Sequence, residues 1–61
     1  MDEALEAIRI YIDVHGWAPT FAELGEILGV STATARARVR ALARAGRIET
    51  AKGARCIRLL P

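Results

Sequence analysis

Residues 29–31, Gly-Val-Ser, end one apolar helical pattern and begin another. This three-residue break constrains the chain more than any other feature. Before it, Phe21, Leu24, Ile27 and Leu28 recur at the spacing of a helix over about 21–28. After it, Ala35, Val39 and Leu42 form the inner face of a helix over about 32–45. Gly29 suits the left-handed conformation that stops a helix. Val30 can plug the core from the turn, and Ser31 can cap the helix that follows. Gly25 lies inside the first of the two helices, where it costs roughly 1 kcal/mol relative to alanine. A glycine kept there predicts that another backbone passes close by.

The flanks agree with a helix-turn-helix. Thr20 and Glu23 have the spacing of a capping box, in which each side chain satisfies a backbone amide of the other, and Pro19 disfavours helix in the residue before it. Upstream, ALEAIRIYIDVH puts Leu5, Ile8, Ile12 and His15 on one stripe, bordered by Tyr11. The pattern predicts a first helix over about 3–15, stopped at Gly16. Ile10 and Val14 lie off this stripe, one turn apart, on an outer face. Trp17 is expected to pack under the loop before helix two. Gly46 ends helix three. Beyond it, Ile48 and Thr50, then Ile57 and Leu59, alternate with polar neighbours, and Ala51-Lys52-Gly53-Ala54 can turn. This reads as a β-hairpin over about 47–60. The fold class is therefore mainly α with a small β-hairpin, a three-helix winged helix-turn-helix, and residues 1–61 form one domain.

With 61 residues, such a fold has little apolar surface to bury. The single cysteine, Cys56, cannot form an internal disulfide, and no Cys/His cluster has zinc-ligand spacing. Stability must come from the core, which the 52% hydrophobic content permits. Nothing pairs a nucleophile with a base or two carboxylates in a cleft, so neither enzyme activity, a cofactor nor a metal is expected. Asp2, Glu3 and Glu6 stand where a signal peptide would carry a basic start. No apolar run is long enough for a membrane span, so the expected location is cytoplasmic.

Charge divides the chain in two. Residues 1–30 carry Asp2, Glu3, Glu6, Asp13, Glu23 and Glu26 against Arg9 alone, whereas residues 31–61 carry eight Lys and Arg against Glu49 alone. Such asymmetry points to an acidic partner for the second half, or to internal neutralisation between halves. Wound at 100° per residue, helix three places Arg36, Arg40 and Arg44 on one stripe, with Ala33 and Ala37 between them. Small alanines admit close approach to a DNA groove, and arginines reach guanine edges or phosphates. The start of such a helix points at bases, which nominates Thr32, Ala33, Arg36 and Ala37 for base contact. Arg40 suits either role, and Arg44 suits the flank. Arg38 falls on the far shoulder beside the core, where pairing with an acidic residue of helix one or two is expected. Ser31 and Thr34 can donate to phosphates, although Ser31 is first a cap. Thr20 and Phe21 open helix two, whose amides can bind a phosphate. Lys52 and Arg55 flank the hairpin turn, where a wing meets the DNA backbone.

GWAPTFAELGEILGV, RALARAGRIE and GARCIRLL resemble the N-terminal DNA-binding domain of the LexA family of SOS-response repressors. The similarity covers most of residues 5–60. Its most specific parts are Gly-x-x-Pro-Thr-x-x-Glu before helix two and the Ile-Arg-Leu-Leu ending. The resemblance implies a three-helix bundle with a wing that binds operator DNA, in the family as dimers of full-length repressors. The turn after Gly29 is one residue shorter than the family's. The family's recognition helix is polar and partly acidic where Arg36, Arg38 and Arg40 stand here, so its operator sequence is not carried over. The family's serine–lysine self-cleaving domain has no counterpart in these residues, and the sequence is read as a standalone chain.

The expected function is double-stranded DNA binding by a small transcriptional repressor or regulator. The alternative is a protein-interaction module on the same fold, an inhibitor or adaptor of a DNA-bound protein. Ile10 and Val14 motivate that alternative. The same pair could instead supply a homodimer interface.

Overall fold

The computed structural model describes residues 2–51 and 56–60, and among them the chain forms three helices and two short strands. They are α1 (Glu3–His15), α2 (Phe21–Leu28), α3 (Thr32–Arg44), β1 (Ile48–Thr50) and β2 (Ile57–Leu59). Each helix starts on a side chain that satisfies amides its first turn leaves free. The Asp2 carboxylate accepts from the Ala4 and Leu5 amides at 3.0 and 3.3 Å. Thr20 and Glu23 form the full capping box, with bonds of 2.8 and 3.1 Å. Ser31 Oγ accepts from the Thr34 amide at 3.1 Å.

The helix ends are equally determined. At the end of α2 the Val30 amide donates to the Gly25 carbonyl at 2.9 Å and the Gly29 amide to Glu26 at 3.3 Å. At the end of α3 the Arg47 amide donates to Leu42 and the Gly46 amide to Ala43, both at 3.0 Å. Both pairs have the Schellman pattern, which needs a left-handed residue at its corner. Gly29 and Gly46 occupy those corners, with φ of 71° and 74°.

The turn between α2 and α3 closes on Gly25. A Cβ at this position would lie 2.9 Å from the Val30 carbonyl oxygen and 3.2 Å from that of Ser31. Only a residue without a side chain allows the chain to fold back this tightly. The glycine expected from its cost within a helix is thus explained by a backbone contact.

Ala4 and Ile8 of α1, Leu24 of α2, and Ala35, Val39 and Leu42 of α3 meet in the core with Ala18, Ile48 and Ile57. Burying each of the larger aliphatic side chains stabilises the fold by about 1.5–3 kcal/mol. β1 and β2 pair antiparallel, with Ile48 opposite Leu59 and Thr50 opposite Ile57. That register puts Ile48 and Ile57 on the face packed against the helices. The expected turn residues Lys52 and Gly53 lie outside the described residues.

Two expectations are corrected. His15 is exposed and does not continue the buried stripe, which runs through Ala4 and Ile8 with Leu5 and Ile12 half-buried beside it. Trp17 does not pack under the loop; it is 54% exposed. The small residues Ala18 and Pro19 fill that space instead. The Trp17 ring centroid lies 6.2 Å from that of His15, which lies 4.1 Å from Tyr11, so the aromatic groups line the outside of the α1 terminus.

Gly25→Ala is expected to destabilise the domain. Its added methyl meets backbone oxygen, which cannot swing aside as a side-chain tip can. Overpacking of this kind costs roughly 1–3 kcal/mol, which outweighs the roughly 1 kcal/mol gained in helix propensity. Thermal unfolding monitored by circular dichroism should show a lower midpoint; an unchanged or higher midpoint would mean that the turn is not held this closely.

Candidate nucleic-acid interface

Only three α3 residues are fully buried, Ala35, Val39 and Leu42, spaced four and three apart along one seam. The remainder of the helix is largely open. Thr32, Ala33, Thr34, Arg36, Ala37, Arg40 and Arg44 are all exposed. This follows from the sequence, since one narrow apolar seam on a helix leaves its other faces to solvent.

Arg36 and Arg40 stand one turn apart and line a shallow groove together with Phe21, Thr50, Ala51 and Cys56. Three elements therefore converge here: the start of α2, the middle of α3 and the hairpin. Phe21 is half-buried and packs against the core. The Arg36 guanidinium carbon sits 5.1 Å from the centre of its ring, within cation–π range. Arg44 is exposed in the last turn of α3, outside the groove, where a cation is favoured by the helix dipole.

The capping residues are already engaged. Ser31 Oγ, besides accepting from Thr34, donates to Thr34 Oγ1 at 3.0 Å. The Thr20 amide donates to the Glu23 carboxylate, which brings a negative charge to the α2 terminus. The Phe21 and Ala22 amides remain among those that a first helical turn leaves without intrahelical partners. Lys52 and Arg55, assigned to the wing from sequence, lie outside the described residues.

Arg38 departs from expectation. It is exposed and, among the described residues, forms no ion pair. It lies outside the buried Ala35-Val39-Leu42 seam. Arg58, on the solvent side of the hairpin, lies 3.7 Å from Glu49 across the strands. With both side chains exposed, such a pair contributes little to stability.

Sequence reasoning did not bring Thr50, Ala51 and Cys56 to the groove. Their proximity depends on how the hairpin docks on α3, a long-range contact without a local signal. On another face, Ile10 and Val14 are 56% and 71% exposed, and Ile27 of α2, at 50%, joins them. Together with Tyr11 these side chains line an apolar groove edged by Glu3 and Glu6. Ile27 fits the α2 apolar pattern, which is why its exposure was not visible in the sequence.

Among the described residues no group of His, Cys, Asp and Glu could hold a metal ion, and no helix is long and apolar enough to cross a membrane.

The tight α2–α3 turn, the third helix on α1 and the antiparallel hairpin after α3 define a winged helix-turn-helix domain. Residues 2–55 match the family of the LexA DNA binding domain. The chain belongs to that family, whose helix-turn-helix binds DNA. No curated protein matches the chain.

The hydroxyl pairing at the start of α3 gives a stability test. Ser31→Ala should cost about 1 kcal/mol, the usual loss on removing such a cap, while Ser31→Asn or Ser31→Asp should retain most of it. Urea denaturation would report the difference; equal stability of all four proteins would show that the cap contributes nothing.

Proposed function

We propose that this domain binds double-stranded DNA with α3 in the major groove and the hairpin as a wing on the backbone, as a small transcriptional repressor or regulator. One observation carries the reading: Arg36 and Arg40 are exposed on one side of α3, with small alanines beside them and the hairpin alongside. Thr32, Ala33, Arg36 and Ala37 contact bases, since the start of a recognition helix approaches base edges. Arg40 takes a base or a phosphate, and Arg44 a flanking phosphate. Ser31, Thr34 and the start of α2 at Thr20 and Phe21 meet the backbone. Lys52 and Arg55 extend the wing contact. Residues 1–61 act as one domain without catalytic activity, and their place is the DNA-containing cytoplasm.

The charge distribution supports this geometry. Exposed cations crowd the second half of the chain, while Asp2, Glu3, Glu6 and Asp13 are exposed on α1. A molecule polarised in this way meets a polyanion with its basic side first.

Exposed Ile10, Val14 and Ile27 favour a second component of the reading, homodimerisation through α1 and α2. Two copies joined there could read both halves of a palindrome, whereas a monomer binds one half-site. In the alternative reading, the same apolar groove seats a different protein, making the domain an adaptor or inhibitor.

Titration of duplex DNA at several salt concentrations tests the main reading. Wild type should lose affinity as salt rises, because neutralised phosphates release counterions. Arg36→Ala should cost about 1–3 kcal/mol and relax preference at one position. Arg40→Ala should weaken binding too, with both variants fully folded. Absence of affinity at low salt would contradict the reading. For the dimer, sedimentation of wild type should give twice the mass found for Ile10→Asp; a monomer in both cases rules out this interface.

A further inference from the structure

Phe21 enters the interface above only through its position at the start of α2. Its ring makes a different kind of contact. The ring packs against the core on one side and lies beneath the Arg36 guanidinium on another, 5.1 Å from ring centre to guanidinium carbon. The backbone that carries it is fixed by the capping box immediately before it, with both reciprocal bonds formed. The ring is therefore a rigid plate supplied by a different helix from the arginine that rests on it.

Arg36 needs such a plate. Its side chain is exposed and, among the described residues, makes no ion pair. A long free side chain must lose rotamer freedom before it can place two parallel N–H bonds on a guanine. Contact with the ring orders it beforehand. That contact occupies only part of the guanidinium, and the N–H groups directed away from the ring remain available for bidentate contact. Arg40, one turn further on, has no ring over it among the described residues. Two arginines on one stripe thus differ in how firmly each is held.

We propose that Phe21 is a positioning residue for Arg36: its ring holds the guanidinium for readout of one base pair that Phe21 itself does not touch. Arg40, with no ring over it among the described residues, serves the phosphate backbone. This inference rests on the DNA-binding reading and deepens it by assigning the two arginines separate tasks and naming the residue that separates them.

Two measurements test it. In the free protein, the Arg36 side-chain protons should be displaced upfield in the NMR spectrum by the ring current, a displacement kept in Phe21→Tyr and lost in Phe21→Leu. In the complex, affinity is measured for the preferred duplex and for each of its single-base-pair variants. Phe21→Leu should reduce discrimination at one base pair by roughly 3- to 10-fold, and Phe21→Tyr should restore it. In an Arg36→Ala background Phe21→Leu should have no further effect on that discrimination, since the two act as a unit. Should Phe21→Leu fail to fold, Phe21→Met provides a flexible apolar filler for the same comparison.

Lack of a ring-current displacement in wild type overturns the proposal. So does a loss of affinity by the same factor on every duplex, or independent effects of the two substitutions. If wild type binds DNA and Phe21→Leu keeps its full discrimination, the positioning role fails while the DNA-binding reading stands. If wild type shows the ring-current displacement yet binds no duplex, both fail together.

Discussion

The α2 backbone at Gly25 lies against the carbonyl oxygens of Val30 and Ser31, and the rest of the domain depends on that contact. It sets how α3 leaves the turn. The Val30 amide returns a hydrogen bond to the Gly25 carbonyl, so one glycine provides both the clearance and the anchor. With the turn closed, Ala35, Val39 and Leu42 face Leu24 and Ile8, and the arginines are left on the outside. The Schellman ending at Gly46 then directs the chain into β1, so that Ile48 enters the core and the hairpin comes to lie beside Arg36 and Arg40. In a domain this small, a few close contacts carry much of the architecture, because a single core supplies limited stability.

Charge and packing divide the molecule along the same line. α1 and the outer side of α2 present carboxylates around an apolar groove; α3 presents cations. The two surfaces suit different partners, one a polyanion and the other an apolar face. In the proposed dimer, the second surface would bring two half-site contacts together. The apolar groove at Ile10, Val14 and Ile27 is one such surface on the described part of the chain.

Much of the fold was legible because its determinants are local. The Thr20–Glu23 capping box, the Ser31 cap, the Gly29 and Gly46 ends and the Ala35-Val39-Leu42 seam each involve residues within one or two helical turns. The expectations that failed depend on distant parts of the chain. His15 continues the apolar period of α1, but the buried stripe is centred on Ala4 and Ile8, and Ala18 and Pro19 rather than Trp17 fill the space beyond. Arg38 stands off the stripe of Arg36 and Arg40, as helical periodicity predicts, yet among the described residues no carboxylate pairs with it. The candidate interface was legible in part for the same reason: helical periodicity separates Arg36 and Arg40 from Arg38. It cannot show that Phe21, fifteen positions before Arg36 in sequence, lies under its guanidinium, or that Thr50, Ala51 and Cys56 complete the groove.

In the proposed mode of binding, DNA meets α3 and the start of α2, and the α1 face stays free. Amide chemical-shift mapping during titration of a duplex at low salt tests it most directly. The largest shifts should fall on residues 31–37, on Arg40 and on Thr20 and Phe21, while Ile10 and Val14 move little. Largest shifts centred on α1, or no shifts at any duplex concentration, would contradict it.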